Sequence, residues 1–446
     1  MKKSLFFFAA AALALTACTS EDEVTQTATQ KDAPRAIAFD TYVPNTTRAA
    51  AYSGQAGVMN TTQLQTSGFG VFAQYSNGEP GTYAAATGSN FMWNQQVTYS
   101  SVWTYSPLKY WPNETAHDSQ TPQALMDSRV DKLSFFAYAP FVDRATGAVD
   151  GTLTGVEYTA GTPNPDQYGI IKVTANDATT DPKVQYRVTT DPTKTVDLLW
   201  GVVPAGGLNY TDVAGDAATA TAGLPLLNLV KPAKDDRMKF LFQHALSKIN
   251  FTVVGAFDQL TPGGVKDGDT KVLVKEVKIY EGTAGSIKTD GWLNLNNTAA
   301  NTALWESPTG GNFTSTPFAT ITNAELTASI KYNTESATYA SQPEGVLSTE
   351  TPLYADASKF FAVIPNDGTQ FKVEITYYVQ TDDEKLAGGN GSVVENVVTK
   401  TISLDLKSGK AYNLRLILGL TSVKLDAEVS DWQFAGSADV NLPQNK

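Results

Sequence analysis

Alternation with a period of two constrains this chain more than any other feature. Phe371, Val373, Ile375, Tyr377 and Val379 alternate with Lys372, Glu374, Thr376, Tyr378 and Gln380. Successive residues of an extended strand point to opposite faces, so one face of this segment is buried and the other is wet. The same period returns at Phe69, Val71, Ala73 and Tyr75, and at Ile402, Leu404 and Leu406. After a turn at Ser408-Gly409-Lys410 it continues through Tyr412, Leu414, Leu416, Leu418 and Leu420, then through Val423, Leu425, Ala427 and Val429. Repeated strands joined by short Gly, Asn and Asp turns predict an all-β chain of antiparallel sandwiches. No long helical period occurs, and Gln243–Lys248 reads as one helical turn or an irregular bend. At roughly 100–200 residues per domain the 446 residues suggest two to four domains, of which two large ones are the simplest division. Ala205–Thr221 is poor in large apolar residues and Lys231–Arg237 is a charged patch with a proline. The expected domains are therefore 36–230 and 231–446.

Composition then removes most chemistry. One Cys and two His leave no intrachain disulfide and no Cys-based metal cluster. With 33 Lys+Arg against 45 Asp+Glu the net charge is −12, which argues against a nucleic-acid partner because phosphate binding needs a cationic face. Charged residues are only 17%, so Thr, Ser, Asn, Gln and Gly must cover much of the surface, as suits an extracellular β protein. His117 lies in a polar loop. His244 follows Phe240 and Phe242 and reads as a satisfied, buried or half-buried histidine rather than a catalytic one. Gly68-x-Gly70-x-x-Ala73 sits on a strand, not in the strand-to-helix turn that dinucleotide binding requires. Asp267-Gly268-Asp269 lacks the ordered acids and the bidentate Glu of a calcium loop. The expectation is a protein that is not an enzyme, with no catalytic residue, no cofactor and no metal. Trp93, Trp103, Tyr105, Tyr110 and Trp111 would stack on sugar rings if exposed, but with Phe135, Phe136 and Tyr138 nearby they read as core.

The N-terminus places the chain outside the cytoplasm. Met1-Lys2-Lys3 is a basic segment, and Ser4–Leu15 is an apolar stretch too short for a stable membrane span. It ends in Leu15-Thr16-Ala17-Cys18, which resembles the lipobox of bacterial lipoproteins, and Cys18 is the sole cysteine. Residues 1–17 are then a signal peptide, and Cys18 carries the lipid and becomes the new N-terminus. More than one acyl chain makes such attachment stable. Residues 18–35 form a polar tether in which Glu21-Asp22-Glu23 resembles the surface-export signal of Bacteroidetes lipoproteins. The expected location is the outer membrane, facing outwards.

Spread along the chain are pieces that together resemble the Bacteroidales fimbrillin family, the FimA-type and Mfa-like pilins of type V pili. They are the lipobox, Ile37-Ala38-Phe39 before Thr47-Arg48-Ala49, Gly68-Phe69-Gly70-Val71-Phe72-Ala73, Lys109-Tyr110-Trp111-Pro112 and Leu133–Pro140. Asp197-Leu198-Leu199-Trp200, Phe242–Ile249, Phe361–Pro365, Tyr412-Asn413-Leu414 and Val429-Ser430-Asp431-Trp432 complete the set. The resemblance implies two tandem transthyretin-like antiparallel β-sandwich domains, lipoprotein export and polymerisation into surface fimbriae. In similar pilins a surface trypsin-like protease cuts after an Arg, releases the first strand, and a strand of another subunit fills the groove by β-strand addition. Carried onto this chain, the first strand is Ala36–Val43, with Ile37, Phe39, Thr41 and Val43 on one face. The cut falls between Arg48 and Ala49, with Arg35 as the lesser alternative. The donor strand is the C-terminal segment, in which Trp432, Phe434, Ala438, Val440 and Leu442 share parity. Expected partners are other fimbrial subunits, the protease and the outer membrane through lipid. The alternatives are a non-polymerising surface lipoprotein that binds glycan or host ligand, and a fimbrial tip or anchor subunit.

Overall fold

A computed structural model describes residues 35–43, 58–76, 83, 91–112, 132–142, 168–173, 181–208, 210, 220–232, 237–256, 270–356, 359–382, 389, 391–419 and 423–432. In chain order its strands begin with β1 (Phe39–Tyr42), β2 (Phe69–Ser76), β3 (Met92–Tyr99), β4 (Trp103–Thr104) and β5 (Lys132–Ala139). They continue with β6 (Gly169–Val173), β7 (Lys183–Arg187), β8 (Leu199–Val202), β9 (Leu226–Leu229), β10 (Met238–His244) and β11 (Ser247–Gly255). Next come β12 (Thr270–Glu281), β13 (Lys288–Asn294), β14 (Leu304–Gly310), β15 (Ala319–Ile321), β16 (Thr351–Pro352) and β17 (Phe361–Val363). The last are β18 (Thr369–Thr381), β19 (Ser392–Leu404), β20 (Lys410–Leu418) and β21 (Val423–Asp431). A short helix α1 (Thr61–Ser67) precedes β2; the Asn60 side chain caps it by accepting from the Gln63 N–H. No helix among the described residues is long and apolar enough to cross a membrane.

Four sheets result. The first has the order β1-β10-β8-β5-β2-β3-β4, with β9 added on β5. In the second half, β16-β11-β20-β21 and β15-β12-β18-β19 share one core, to which Phe251, Val253, Leu414 and Leu416 contribute from one sheet and Val277, Phe371, Val373 and Ile375 from the other. The fourth sheet, β14-β13-β7-β6, hydrogen-bonds strands of the first half to strands of the second. Pairing is antiparallel apart from β1 with β10 and β11 with β20. Both exceptions join segments far apart in sequence, so no tight crossover is needed.

Two details refine the sequence expectation. Of the two alternatives for Gln243–Lys248, the structure has the irregular bend: β10 and β11 meet at Ala245 and Leu246, where the Ala245 N–H donates to the Leu198 carbonyl at 2.8 Å. Period-two apolar residues on both sides of the bend leave a helix no continuous apolar stripe. β2 is buried on both faces for its first six residues rather than half-buried. Phe69, Val71 and Ala73 enter a core built from the first half and β10, whereas Phe72 enters a larger core built from both halves. The first sheet is thus the wall between two cores. β10 lies beyond the 230/231 division yet belongs to this wall through its pairing with β8.

Candidate functional site at the first strand

Ala36–Val43 lies in the groove that the first sheet leaves between β10 and the segment 105–111. On one side β1 runs parallel to β10, Phe39 opposite Met238 and Tyr42 opposite Leu241, and the Met238 N–H donates to the Ala38 carbonyl at 2.7 Å. On the other side the Ile37 N–H donates to the Lys109 carbonyl and the Trp111 N–H to the Arg35 carbonyl, both at 2.9 Å. The Tyr105 hydroxyl donates to the Ile37 carbonyl at 2.9 Å, and burial pushes that phenol up to about 12. The segment is therefore held on one edge by 105–111 at Arg35 and Ile37 and on the other by β10 from Ala38 onward. It plugs the groove.

The side chains follow the expected parity. Ile37, Phe39 and Val43 are each 1% exposed, with Thr41 half-buried between them. The Phe39 ring meets Phe69, Tyr105, Phe135 and Phe240 at centroid distances of 5.5–6.2 Å. Full burial of an aliphatic or phenyl side chain contributes about 1.5–3 kcal/mol. Three of them together match the lower range of a whole domain's net stability, about 5–15 kcal/mol. An emptied groove would expose Phe69, Phe135 and Phe240 to water, so it favours any strand able to replace the plug.

Arg35 is tied down by both backbone and side chain. Its carbonyl accepts from Trp111, and its guanidinium donates to the Pro232 carbonyl. A protease needs an extended, accessible segment, which this anchoring denies. Cys18, Arg48 and Ala49 lie outside the described residues, as do Phe434, Ala438, Val440 and Leu442.

Trp432 differs from its expected place at the start of a donor strand. It is 1% exposed, its N–H donates to the Gly409 carbonyl at 2.8 Å, and its ring stacks on His244 at 4.7 Å and 4°. A large aromatic next to a sheet end buries itself in the nearest core, here the one shared by both halves.

Below Trp432 lies a buried polar cluster that the sequence did not reveal. His244 Nδ1 donates to the Asp197 carboxylate, 2.9 Å from Oδ2 and 3.0 Å from Oδ1, and Asp197 Oδ2 accepts the Met59 N–H at 2.8 Å. His244 was expected to be buried and satisfied, but a lone Asp before Leu198-Leu199-Trp200 carried no signal of being its partner. Lys248 is also buried, with its ammonium 4.7 Å from the Phe360 ring centroid, and burial pushes it down to about 7. Asp197 is 0% exposed, His244 is 6% exposed, and Trp432 covers the imidazole. A histidine–carboxylate pair sealed in this way meets no substrate; it holds chain segments together. The aromatic group near 93–111 is also mostly core: Trp103, Tyr105 and Trp111 are buried, and Tyr110 is exposed.

Comparison with known proteins bears on the architecture. A crystal structure of a fimbrial protein from Bacteroides vulgatus aligns over 89% of this chain and 99% of its own, with a TM-score of 0.55 and 18% identity. The two chains share a fold. Cell-adhesion proteins, described as putative, from Bacteroides uniformis and Bacteroides ovatus align over 90% and 91% of this chain, and over 98% and 100% of their own. Their TM-scores are 0.36, with 13% and 12% identity. No family model and no curated protein matches the sequence.

Proposed function

We propose that this chain is a structural and adhesive subunit of a surface fimbria. It is exported as a lipoprotein anchored through Cys18 in the outer membrane, cut between Arg48 and Ala49 by a trypsin-like protease, and assembled by β-strand addition. The observation that carries the reading is the first strand itself. It fills a groove with backbone bonds on both edges and three buried apolar side chains, yet it belongs to the core of the first half and not to the one that joins the halves. Such a strand is replaceable. The Phe434, Ala438, Val440 and Leu442 parity set offers a replacement of matching period. The shared fold with a fimbrial protein supports the same reading.

The test is the intact mass of the chain in fimbriae sheared from cells. A polypeptide beginning at Ala49 is expected. If surface fibres contain only the acylated chain beginning at Cys18, shaft-type processing is wrong and the chain is an anchor or a non-polymerising lipoprotein.

A further inference from the structure

Three chain segments that the proposed processing affects converge on one buried point. His244 is the last residue of β10, and the first four residues of β10 pair with β1. Met59 lies eleven residues beyond Arg48, and its N–H is held by Asp197. Trp432 immediately precedes the segment 433–446 and stacks on His244. Asp197 joins the first two, and the imidazole joins both to the third.

The seat of Trp432 is a poor one in one respect. Its indole N–H is buried and donates to no acceptor among the described residues, whereas a buried donor is normally paired. The ring is held by stacking on His244, by an edge contact with Phe360 at 5.8 Å, and by its own backbone bond to Gly409. β21, the strand that leads to it, is an edge strand whose last four residues are exposed, with Val429 at 53%. Trp432 is nonetheless buried in the larger core, so its seat combines apolar contact with an unpaired donor, and the imidazole is the polar-anchored group beneath it.

We propose that the Asp197–His244–Trp432 stack is a latch that couples the first strand to the root of the C-terminal segment. With β1 in place, β10 holds His244 under the indole and Trp432 stays docked. Loss of β1 removes the parallel partner of β10, His244 shifts off the Asp197–Met59 anchor, and Trp432 leaves its seat. A subunit still carrying its first strand thus keeps the root of its donor segment fixed, and a subunit that has lost it frees that root. The inference rests on the strand-exchange reading for its purpose, but not for its measurement.

Hydrogen exchange on the full chain tests it. Phe39→Asp unseats the first strand; amides of 238–241 and of 423–432 should then both exchange at least tenfold faster, the Trp432 amide among them. Phe39→Ala, a milder change, should raise both sets together by a smaller factor, and it keeps the test decisive if the aspartate variant does not fold. His244→Phe by itself, in a chain with Phe39 intact, keeps a ring to stack on but loses the Asp197 bond, and should speed exchange at 423–432 with the first strand still protected. The latch is overturned if 238–241 lose protection while 423–432 keep theirs. Fibre formation by a chain with unchanged protection at 423–432 would leave strand exchange standing and remove only the latch. Faster exchange at 423–432 without any fibres would do the reverse.

Discussion

Phe39 and Lys248 show how much single positions decide here. Phe39 gains its place from four aromatic rings supplied by β2, β5, β10 and Tyr105, so its role depends on partners 30 to 201 residues away in sequence. Lys248 is the opposite case, a charge-bearing group placed where charge is disfavoured. Its folded value of about 7 lies below the ordinary 10.5. Between those values the unfolded chain binds more protons than the folded one, so stability rises with pH from about 7 to about 10. Above pH 10 the sign reverses. Burial holds Tyr105 up to about 12 and raises Tyr83 and Tyr186 as well, so the folded state then retains protons that the unfolded chain releases. Denaturation midpoints measured from pH 6 to 11 should peak near pH 9–10, and Lys248→Met should flatten the rising limb. One pKa unit corresponds to about 1.4 kcal/mol, so the limb is of the order of a few kcal/mol. The burial of Lys248 was not legible locally, because it sits in an alternating run where a lysine ordinarily faces water.

Among the strands paired on one side only, β1 and β21 differ in what surrounds them. The residues leading into β1 are held by Lys109 and Trp111 and its apolar side chains are buried, whereas β21 is largely exposed after Val423. A long exposed edge invites another strand. The resemblance placed the first strand at Ala36–Val43, and in the structure Ile37, Phe39 and Val43 of that segment are buried. The period of two could not separate Trp432 from the residues that follow, because parity continues past Trp432. Deleting Gln433–Lys446 leaves Trp432 and its bond to Gly409 in place, so a folded monomer is expected. Light scattering and electron microscopy should show that it forms no filaments; persistence of filaments would assign the donor role elsewhere.

For the whole molecule, the arrangement of cores matters more than the number of domains. The larger core takes Phe72, Phe136, Tyr138 and Trp200 from the first half and joins them to Ile249, Phe371 and Leu414 of the second, and the β13–β7 pairing adds backbone bonds between the halves. The described apolar residues of 1–48, Ile37, Phe39 and Val43, belong to the other core. A chain starting at Ala49 should therefore lose exchange protection across β10 and β2 while β11, β12, β18 and β20 stay protected, and its charge should remain −12 because residues 1–48 carry five basic and five acidic side chains. Uniform loss of protection would show that the cores are not independent. Side-chain period and composition are local properties, and they by themselves determined an all-β chain with one cysteine, in a lipobox-like position, and only two histidines. Which faces of the first sheet meet which core, and which strands plug or lie open, depended on contacts between residues far apart in sequence. So did the assembly of Met59, Asp197, His244 and Trp432 at one point. Those contacts follow from the order in which strands pair, and a period of two is the same in every strand whatever its neighbour.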